Sequence, residues 1–505
     1  MSIRKAIVLL FLCLVMPLSS RAGTVHRHMR PVDTRYMVTL NRDIPAAAYD
    51  GVLRSLAGSY NFTVITEWRD EPRGFICTGL SSPDAQRLAN DPRTRIVEQD
   101  FEMSVVPTSG TQWTNWNSNY LWHLDRLDEP TYGTHDSTYN MCPEAREVNA
   151  YIIDVGVYAN HEQFTYNNEP PGRVESYAFD DGSTTGYTDN NNLCNYPNAS
   201  SPIHGTAVAT VVGGTTIGAS KVHIISLRIV NCGGSNFFAG TVVNAVRWIR
   251  SANDTHRNQP GVVNMSAGWS PDWVSDFATL NDEVKSLVTT KNIPFFTSAN
   301  NFSGDACKFA PAALAYTNAN RYTINQGSVF SVGGTSLGAD GDQNDYRWQK
   351  WVGGLAQLGQ DSGSNGGDCV SIYAPAADIY VGTSNGQANY QLLSGTSFSS
   401  PLAAAIGARY LSTNPTATYQ QVYDYLLNAA GSSSLINNHY TPEYWACQYV
   451  FAPFNYVTYR TNPTVCDVHY TGGDGRSDGT STPIHFAATS NTSNAGMLYS
   501  PMGCP

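Results

Sequence analysis

Charge is scarce in this sequence, and positive charge is scarcer. Only 14% of the 505 residues are Asp, Glu, Lys or Arg, against about 25% in an average soluble protein. There are 30 basic and 41 acidic side chains, a formal net charge of −11. A disordered chain is rich in charge and poor in apolar residues; with 41% hydrophobic residues this one is the reverse. Its length supplies material for about two to three domains with ample cores. The shortage of Lys and Arg excludes the basic face on which phosphate backbones bind, so nucleic acid is not an expected partner. Beyond the first 20 residues no apolar stretch approaches the ~18 residues of a membrane span, which removes the membrane as a partner. No internal repeat is evident. His161-Glu162 lacks the second histidine of a His-Glu-x-x-His helix, and no metal site is read from the sequence.

What the sequence does have begins at its first residues. Arg4 and Lys5 precede an apolar run from Ala6 to Met16, with small residues around Ser20-Arg21-Ala22 before Gly23. That is the layout of a secretory signal peptide over 1–22, and it predicts a secreted, extracellular protein. Charge then divides unevenly: residues 1–106 hold 13 basic and 11 acidic residues, residues 107–505 hold 17 and 30. Such a split fits a detachable segment lying on an acidic body. Cys13 leaves with the signal and Cys77 lies in the detachable segment. Eight cysteines remain: Cys142, Cys194, Cys232, Cys307, Cys369, Cys447, Cys466 and Cys504. An even number in an oxidising compartment suggests disulfides, with the pairing left open by spacing alone. Asn61, Asn198, Asn253 and Asn491 head N-x-S/T sites for glycosylation; Asn264 and Asn301 also match, but are expected to be buried.

Short strands are expected at 36–40, 63–67, 74–80 and 95–100, and helices at 46–59 and 83–90. That mixture makes a small α+β domain over 23–110. Pro107-Thr108-Ser109-Gly110 reads as a linker. Over 111–431 near-continuous apolar strands (148–154, 222–230, 261–267, 293–297, 328–333) alternate with amphipathic helices (241–252, 276–292). This predicts an α/β fold, a predominantly parallel sheet with helices on both faces, whose ligand site lies at the carboxyl ends of the strands. Residues 432–505 lose the alternation and form a disulfide-tied extension of unknown role.

Three segments supply an acid, an imidazole and a hydroxyl. Asp154-Val155-Gly156 ends a strand, with His161-Glu162-Gln163-Phe164 just after it. His204-Gly205-Thr206-Ala207-Val208-Ala209 starts a helix, and Gly395-Thr396-Ser397-Phe398-Ser399-Ser400-Pro401 precedes an apolar helix over 402–411. A serine hydroxyl is a weak nucleophile at neutral pH; a histidine must take its proton, and a buried carboxylate must hold that histidine in one tautomer. Glycines beside His204 and Ser397 admit close backbone approach, and a helix start offers amide donors to a developing oxyanion.

These motifs, in this order on an α/β scaffold, resemble the subtilases, and among them the proteinase K-like secreted serine peptidases. The resemblance runs from about Trp122 to Leu427 and includes Tyr36–Val105, which is similar to the family's propeptide inhibitor and ends in Ile96-Val97-Glu98-Gln99-Asp100. It implies a serine endopeptidase, monomeric, made as a self-processed zymogen. Its partners would be protein and peptide substrates and its own propeptide, cut within 103–115. It implies Asp154, His204 and Ser397 as the triad, and Asn301, ending the segment that starts at Phe295, as the side-chain oxyanion donor. Ser266, Ala267 and Gly268 would line the substrate cleft as an added strand. It also implies disulfides Cys194–Cys232 and Cys307–Cys369, and apolar or aromatic side chains at the primary specificity pocket.

The sequence departs from the family at Val155, where Ser or Thr is usual, at Asn300 in place of Gly, and at Phe398 and Ser399 in place of Met and Ala. The chemistry requires no cofactor. Structural calcium is common in such enzymes, but Ser371 stands where they carry a calcium-binding Asp, and a lost carboxylate weakens a hard-cation site. Two competing readings are a hydrolase elbow at Gly334-Thr335-Ser336-Leu337-Gly338 and a subtilase-like binding protein without catalysis.

Overall fold

The computed structural model describes residues 25–26, 31–104, 108–109, 121–128, 138–165, 172–179, 187–188, 203–230, 236–251, 254, 256, 258–268, 278–316, 327–337, 345–348, 351–352, 355–356 and 362–431, with three strands between 456 and 487. The expected signal segment lies outside them, as do Cys194 and Cys232.

The N-terminal unit is built from β1 (Pro31–Leu40), α1 (Tyr49–Tyr60), β2 (Thr63–Trp68), β3 (Gly74–Thr78), α2 (Ser82–Ala89) and β4 (Thr94–Ser104). Its strands run in the order β4-β1-β3-β2, antiparallel throughout, with Val25–His26 added along β4. Helix α1 turns its apolar side, Tyr49, Leu53 and Leu56, onto the sheet and ends at Asn61, an exposed residue with φ 51°. Asparagine accepts that left-handed geometry better than most residues. Helix α2 opens with Ser81, whose hydroxyl accepts the Asp84 N–H at 3.2 Å, an N-cap that satisfies one of the orphan donors of the first turn.

The larger body is the expected α/β layer structure. Its elements are β5 (Asn149–Asp154), β6 (Val174–Ala178), α3 (His204–Gly213), β7 (His223–Arg228), β8 (Asn236–Phe238), α4 (Ala239–Arg250), β9 (Gly261–Met265), α5 (Ala278–Lys291), β10 (Phe295–Ser298), β11 (Phe330–Leu337), β12 (Ile372–Pro375), β13 (Ile379–Gly382), β14 (Tyr390–Ser394), α6 (Thr396–Thr413) and α7 (Tyr419–Gly431). Among the described residues seven strands are parallel, in the order β6-β7-β5-β9-β10-β11-β12. Period-two alternation sends neighbours to opposite faces. In β5, Ala150 and Ile152 pack with α3 and α6, whereas Tyr151 and Ile153 pack with α4 and α5. Both faces are therefore dry, which is why these strands read as unbroken apolar runs.

The N-terminal sheet sits over the starts of α4 and α5. Asp100, fully buried, accepts the Gly240 N–H on Oδ1 at 3.1 Å, and its Oδ2 pairs with Arg35 Nε at 2.7 Å. Glu98 Oε2 accepts the Thr279 N–H at 2.9 Å. Both carboxylates thus meet the positive end of a helix dipole. Trp68 Nε1 donates to Asn244 Oδ1 at 2.9 Å, and Arg247 reaches Pro72 O and Asp70 O at 3.0 and 2.9 Å.

Two expectations change. The linker expected at 107–110 carries a strand, Thr108–Ser109, antiparallel to β14. The helix read over 402–411 begins six residues earlier, at Thr396, and carries Pro401 inside it, whereas the sequence reading places the proline before the helix.

Candidate active site

Asp154 is the last residue of β5 and is completely buried. Its Oδ1 accepts the Val155 N–H at 2.7 Å, and both its oxygens lie 2.9 Å from His204 Nδ1. An ionised carboxylate only accepts, so Nδ1 carries the proton and Nε2 keeps the lone pair of the neutral ring. Nε2 is buried without a hydrogen-bond partner among the described residues. A Cβ on Gly205 would stand 2.3 Å from Gly156 O, so only glycine lets the start of α3 abut the turn after Asp154. Thr206 Oγ1 fixes the same turn by accepting the Tyr158 N–H at 2.9 Å.

Ser397 is the second residue of α6 and is 5% exposed. The next side chain, Phe398, has its ring 6.3 Å from the His204 ring. The Ser397 hydroxyl donates to Ser266 O at 3.2 Å, and Ser266 Oγ donates to Ser397 O at 2.8 Å. The chain of bonds continues through Asn264, whose Nδ2 donates to Ser266 Oγ at 2.9 Å and whose Oδ1 accepts from Ser400 Oγ at 2.7 Å. Asn264 is fully buried, as expected.

Asn301 faces the same helix start. Its Oδ1 accepts from the Thr396 N–H at 2.9 Å and the Thr396 hydroxyl at 2.7 Å, which turns Nδ2 the other way. A Cβ on Gly395 would lie 3.3 Å from that Nδ2 and 3.7 Å from Ser397 N, so both donors border the space that glycine leaves open. An N–H in the first turn of a helix has no intrahelical acceptor and is available to an anion. Beside this space run Ser266-Ala267-Gly268, following β9, and Ala299-Asn300-Asn301, following β10. Asn300 has φ 73°, the left-handed geometry asparagine tolerates, and its amide lies against Gly268: a Cβ on Gly268 would meet its Nδ2 at 2.7 Å and Oδ1 at 2.9 Å.

A buried acid–imidazole pair, a serine at a helix start and two convergent N–H donors form the equipment of acyl transfer. The sequence model of the subtilase family matches residues 147–450, more than half of the chain. This chain belongs to the subtilase family. It is 28% identical over 381 residues to the alkaline serine exoprotease A of Vibrio alginolyticus, a match covering 75% of this chain and 59% of that protein. This subtilase therefore spans less than two thirds of that relative. It is 26% identical over 427 residues to proteinase R of Parengyodontium album, covering 83% and 89% of the two chains. The crystal structure of fervidolysin from Fervidobacterium pennivorans, a keratinolytic enzyme related to subtilisin, superposes with a TM-score of 0.55 at 16% identity, covering 81% of this chain and 60% of that one; it shares the fold.

Other positions singled out in this subtilase resolve as follows. His161 is a structural pin: Nε2–H donates to Asn389 O at 3.0 Å, Nδ1 accepts the Gln163 N–H at 3.2 Å, and burial holds its pKa below the ordinary value. Ser336 lies within β11, opposite Tyr346 of an antiparallel neighbour, so the hydrolase-elbow reading fails for want of a strand-to-helix turn. Cys307 and Cys369 form a disulfide, and Cys142 is also disulfide-bonded. Cys77 is free and buried, its thiol pushed up to about 12 by burial. Ser371 does not fit a calcium ligand: its hydroxyl accepts the Ser331 N–H at 3.1 Å, its own N–H donates to Ser331 O, and it brings no carboxylate. The Thr396–Asn301 and Ser400–Asn264 bonds escaped the sequence reading, because nothing in their spacing links them.

Proposed function

We propose that this subtilase is a secreted serine endopeptidase, made as a zymogen that cuts itself, with Asp154, His204, Ser397 and Asn301 as its catalytic residues. The observation that carries the reading is the bond between buried Asp154 and His204 Nδ1, which leaves Nε2 as a free base. On substrate binding the Ser397 hydroxyl turns from Ser266 O to His204 Nε2, which takes its proton as Oγ attacks the scissile carbonyl. Asp154 stabilises the imidazolium. The oxyanion is held by Asn301 Nδ2 and the Ser397 N–H, each such donor being worth roughly 2.7–4 kcal/mol in the transition state. His204 then protonates the leaving amine, and water resolves the acyl-enzyme by the reverse steps. Ser266, Ala267 and Gly268 offer the substrate backbone an edge.

The zymogen part rests on two registers. Ser104 pairs with Asn236 of β8, and Thr108 pairs with Ser394, three residues before Ser397. The second pairing holds Thr108 beside the proposed nucleophile, only four residues after Ser104. The cut falls between Ser104 and Thr108, and residues 23 to the cut are the inhibitor. The bonds at Cys142 and between Cys307 and Cys369 support an oxidising compartment. No helix among the described residues is long and apolar enough to cross a membrane.

The test is to express the full chain in a secretory host beside Ser397→Ala and treat both with a fluorophosphonate probe. Wild type should label and shorten to a new N-terminus within 105–108, while Ser397→Ala stays long and unlabelled. Labelling of the mutant would overturn the triad. A folded wild type that neither shortens nor labels would favour the binding-protein reading.

A further inference from the structure

At the opposite end of the sheet from Asp154, Glu175 of β6, His223 at the start of β7 and His256 before β9 bring one ligand atom each to within 4.8 Å of one another. His223 Nε2 lies 3.3 Å from Glu175 Oε1, and His256 Nε2 lies 3.0 Å from Glu175 Oε2. For metal bonds of 2.0–2.1 Å, the edge of a tetrahedron is about 3.3 Å, so each imidazole nitrogen already stands near that spacing from a Glu175 oxygen.

The orientation of His223 is set from behind. Asn149 commits its Nδ2 to Gln259 Oε1 at 3.0 Å and His256 O at 3.2 Å, so its Oδ1 faces His223 Nδ1 at 3.1 Å and requires a proton there. In the neutral ring the Nε2 lone pair then points at two acceptors, Glu175 Oε1 and, at 3.1 Å, Gly172 O. Lone pairs facing oxygens repel unless a cation lies between them. A histidine whose second nitrogen is tied to an amide oxygen is the arrangement that orients metal ligands. Asp254 supports the loop by accepting the His256 N–H at 2.9 Å and the Tyr151 hydroxyl at 2.6 Å. Arg173 is the neighbouring cation, and its guanidinium is engaged by Thr215 Oγ1 and Gly213 O.

We propose that Glu175, His223 and His256 bind a borderline divalent cation, zinc by its ligand chemistry, with the fourth position open to water. Two imidazoles and a carboxylate select such an ion over calcium, which takes oxygen ligands alone. The site clamps β6 and the loop before β9 to β7. Asn149 and Asp154 are the two ends of β5, about 17 Å apart along a strand, so the ion is structural and takes no part in peptide hydrolysis.

The test uses the full chain carrying Ser397→Ala, stripped of metal and titrated with Zn²⁺ against a chromogenic chelator. The parent should hold one more zinc per chain than His256→Gln or Glu175→Gln, each variant weakening that site at least 100-fold. Zinc should raise the unfolding midpoint of the parent and of neither variant. Co²⁺ on the parent, which needs no substitution, should give the strong visible absorption of a tetrahedral nitrogen–oxygen site. Equal zinc stoichiometry in parent and variants, or weak octahedral Co²⁺ absorption, would overturn the proposal and leave the cluster as a proton-bridged ion pair.

Discussion

Ser397 and Ser266 hold each other twice: the hydroxyl of each donates to the carbonyl of the other, at 3.2 and 2.8 Å. The second bond exists because of Pro401. In α6 the partner of Ser397 O would be the N–H four residues on, and proline has none. The orphaned carbonyl is taken by Ser266 Oγ, which ties the Ser397 backbone to the end of β9.

Ser266→Ala removes that tie and strands both Ser397 O and Asn264 Nδ2. Losing a buried hydrogen bond costs about 1–1.5 kcal/mol, so kcat should fall about tenfold. The drop should sit in kcat more than KM, since what is lost is alignment of a group already in place. Steady-state kinetics on a peptide amide check it. A change confined to KM would mean that Ser266 acts through substrate binding instead.

Under the zymogen reading, Glu98 and Asp100 decide how tightly the N-terminal segment blocks the enzyme. Each caps a helix of the catalytic body, and Asp100 does so while fully buried beside Arg35. Asp100→Asn keeps a hydrogen-bond acceptor but loses the charge that the α4 dipole and Arg35 favour. At about 1–2 kcal/mol, roughly tenfold weaker retention of the cut segment follows. Gel filtration of the processed protein should show the segment separating from the body in the variant and travelling with it in wild type. Equal retention would remove the caps from the account.

Burial also makes a pH prediction. His123 has no exposed surface, its Nε2–H donates to Ile217 O at 3.1 Å, and desolvation pushes it down to about 4. The folded protein therefore refuses a proton that the unfolded chain accepts below about 6.5. Stability from this residue is complete above pH 6.5 and is lost as pH falls toward 4, at about 1.4 kcal/mol per unit and ~3 kcal/mol in all. Asp378 works in the opposite sense: burial raises it to about 6, so its protonation favours the folded state over the same range, less strongly because it is partly exposed. His123→Gln isolates the first effect, since it keeps the donor and cannot titrate. In a Ser397→Ala background, the stability advantage of the chain that keeps His123 over the His123→Gln variant should shrink steadily from pH 7 to 4.5. A constant difference would show that His123 does not carry the acid sensitivity.

The sequence made the sheet legible because its strands are buried on both faces, so Tyr151 and Ile153 are as apolar as Ala150 and Ile152 although they pack against different helices. The three residues of the proposed triad stood out because each ends a strand or starts a helix beside a tell-tale glycine. What stayed hidden joins residues through backbone atoms or across long separations. Ser266 to Ser397 spans 131 positions, and Glu175 to His256 spans 81; neither has a spacing that announces a contact. Glu98 and Asp100 read as ordinary strand carboxylates until the N-terminal sheet is seen docked on two helix starts.

Asn300 bears on which bonds the enzyme cuts. Under the proposed mechanism the residue that supplies the scissile carbonyl places its oxygen near Asn301 Nδ2 and Ser397 N, and its side chain would then point between the 266–268 and 299–301 segments. In this subtilase the Asn300 amide already occupies that crease, against Gly268 and only 8% exposed, where the family has glycine. A large apolar side chain would have to displace a buried amide and leave it unsatisfied, at about 1–3 kcal/mol. Small residues should therefore be preferred at this position, contrary to the aromatic preference that the family resemblance implies. Asn300→Gly should raise kcat/KM for a Phe substrate about 10- to 100-fold relative to its Ala counterpart. Glycine also accepts the φ of 73° at this turn, so the variant keeps the position of Asn301. Kinetics on matched Ala and Phe peptides give the ratio directly, and an unchanged ratio would place the specificity pocket elsewhere.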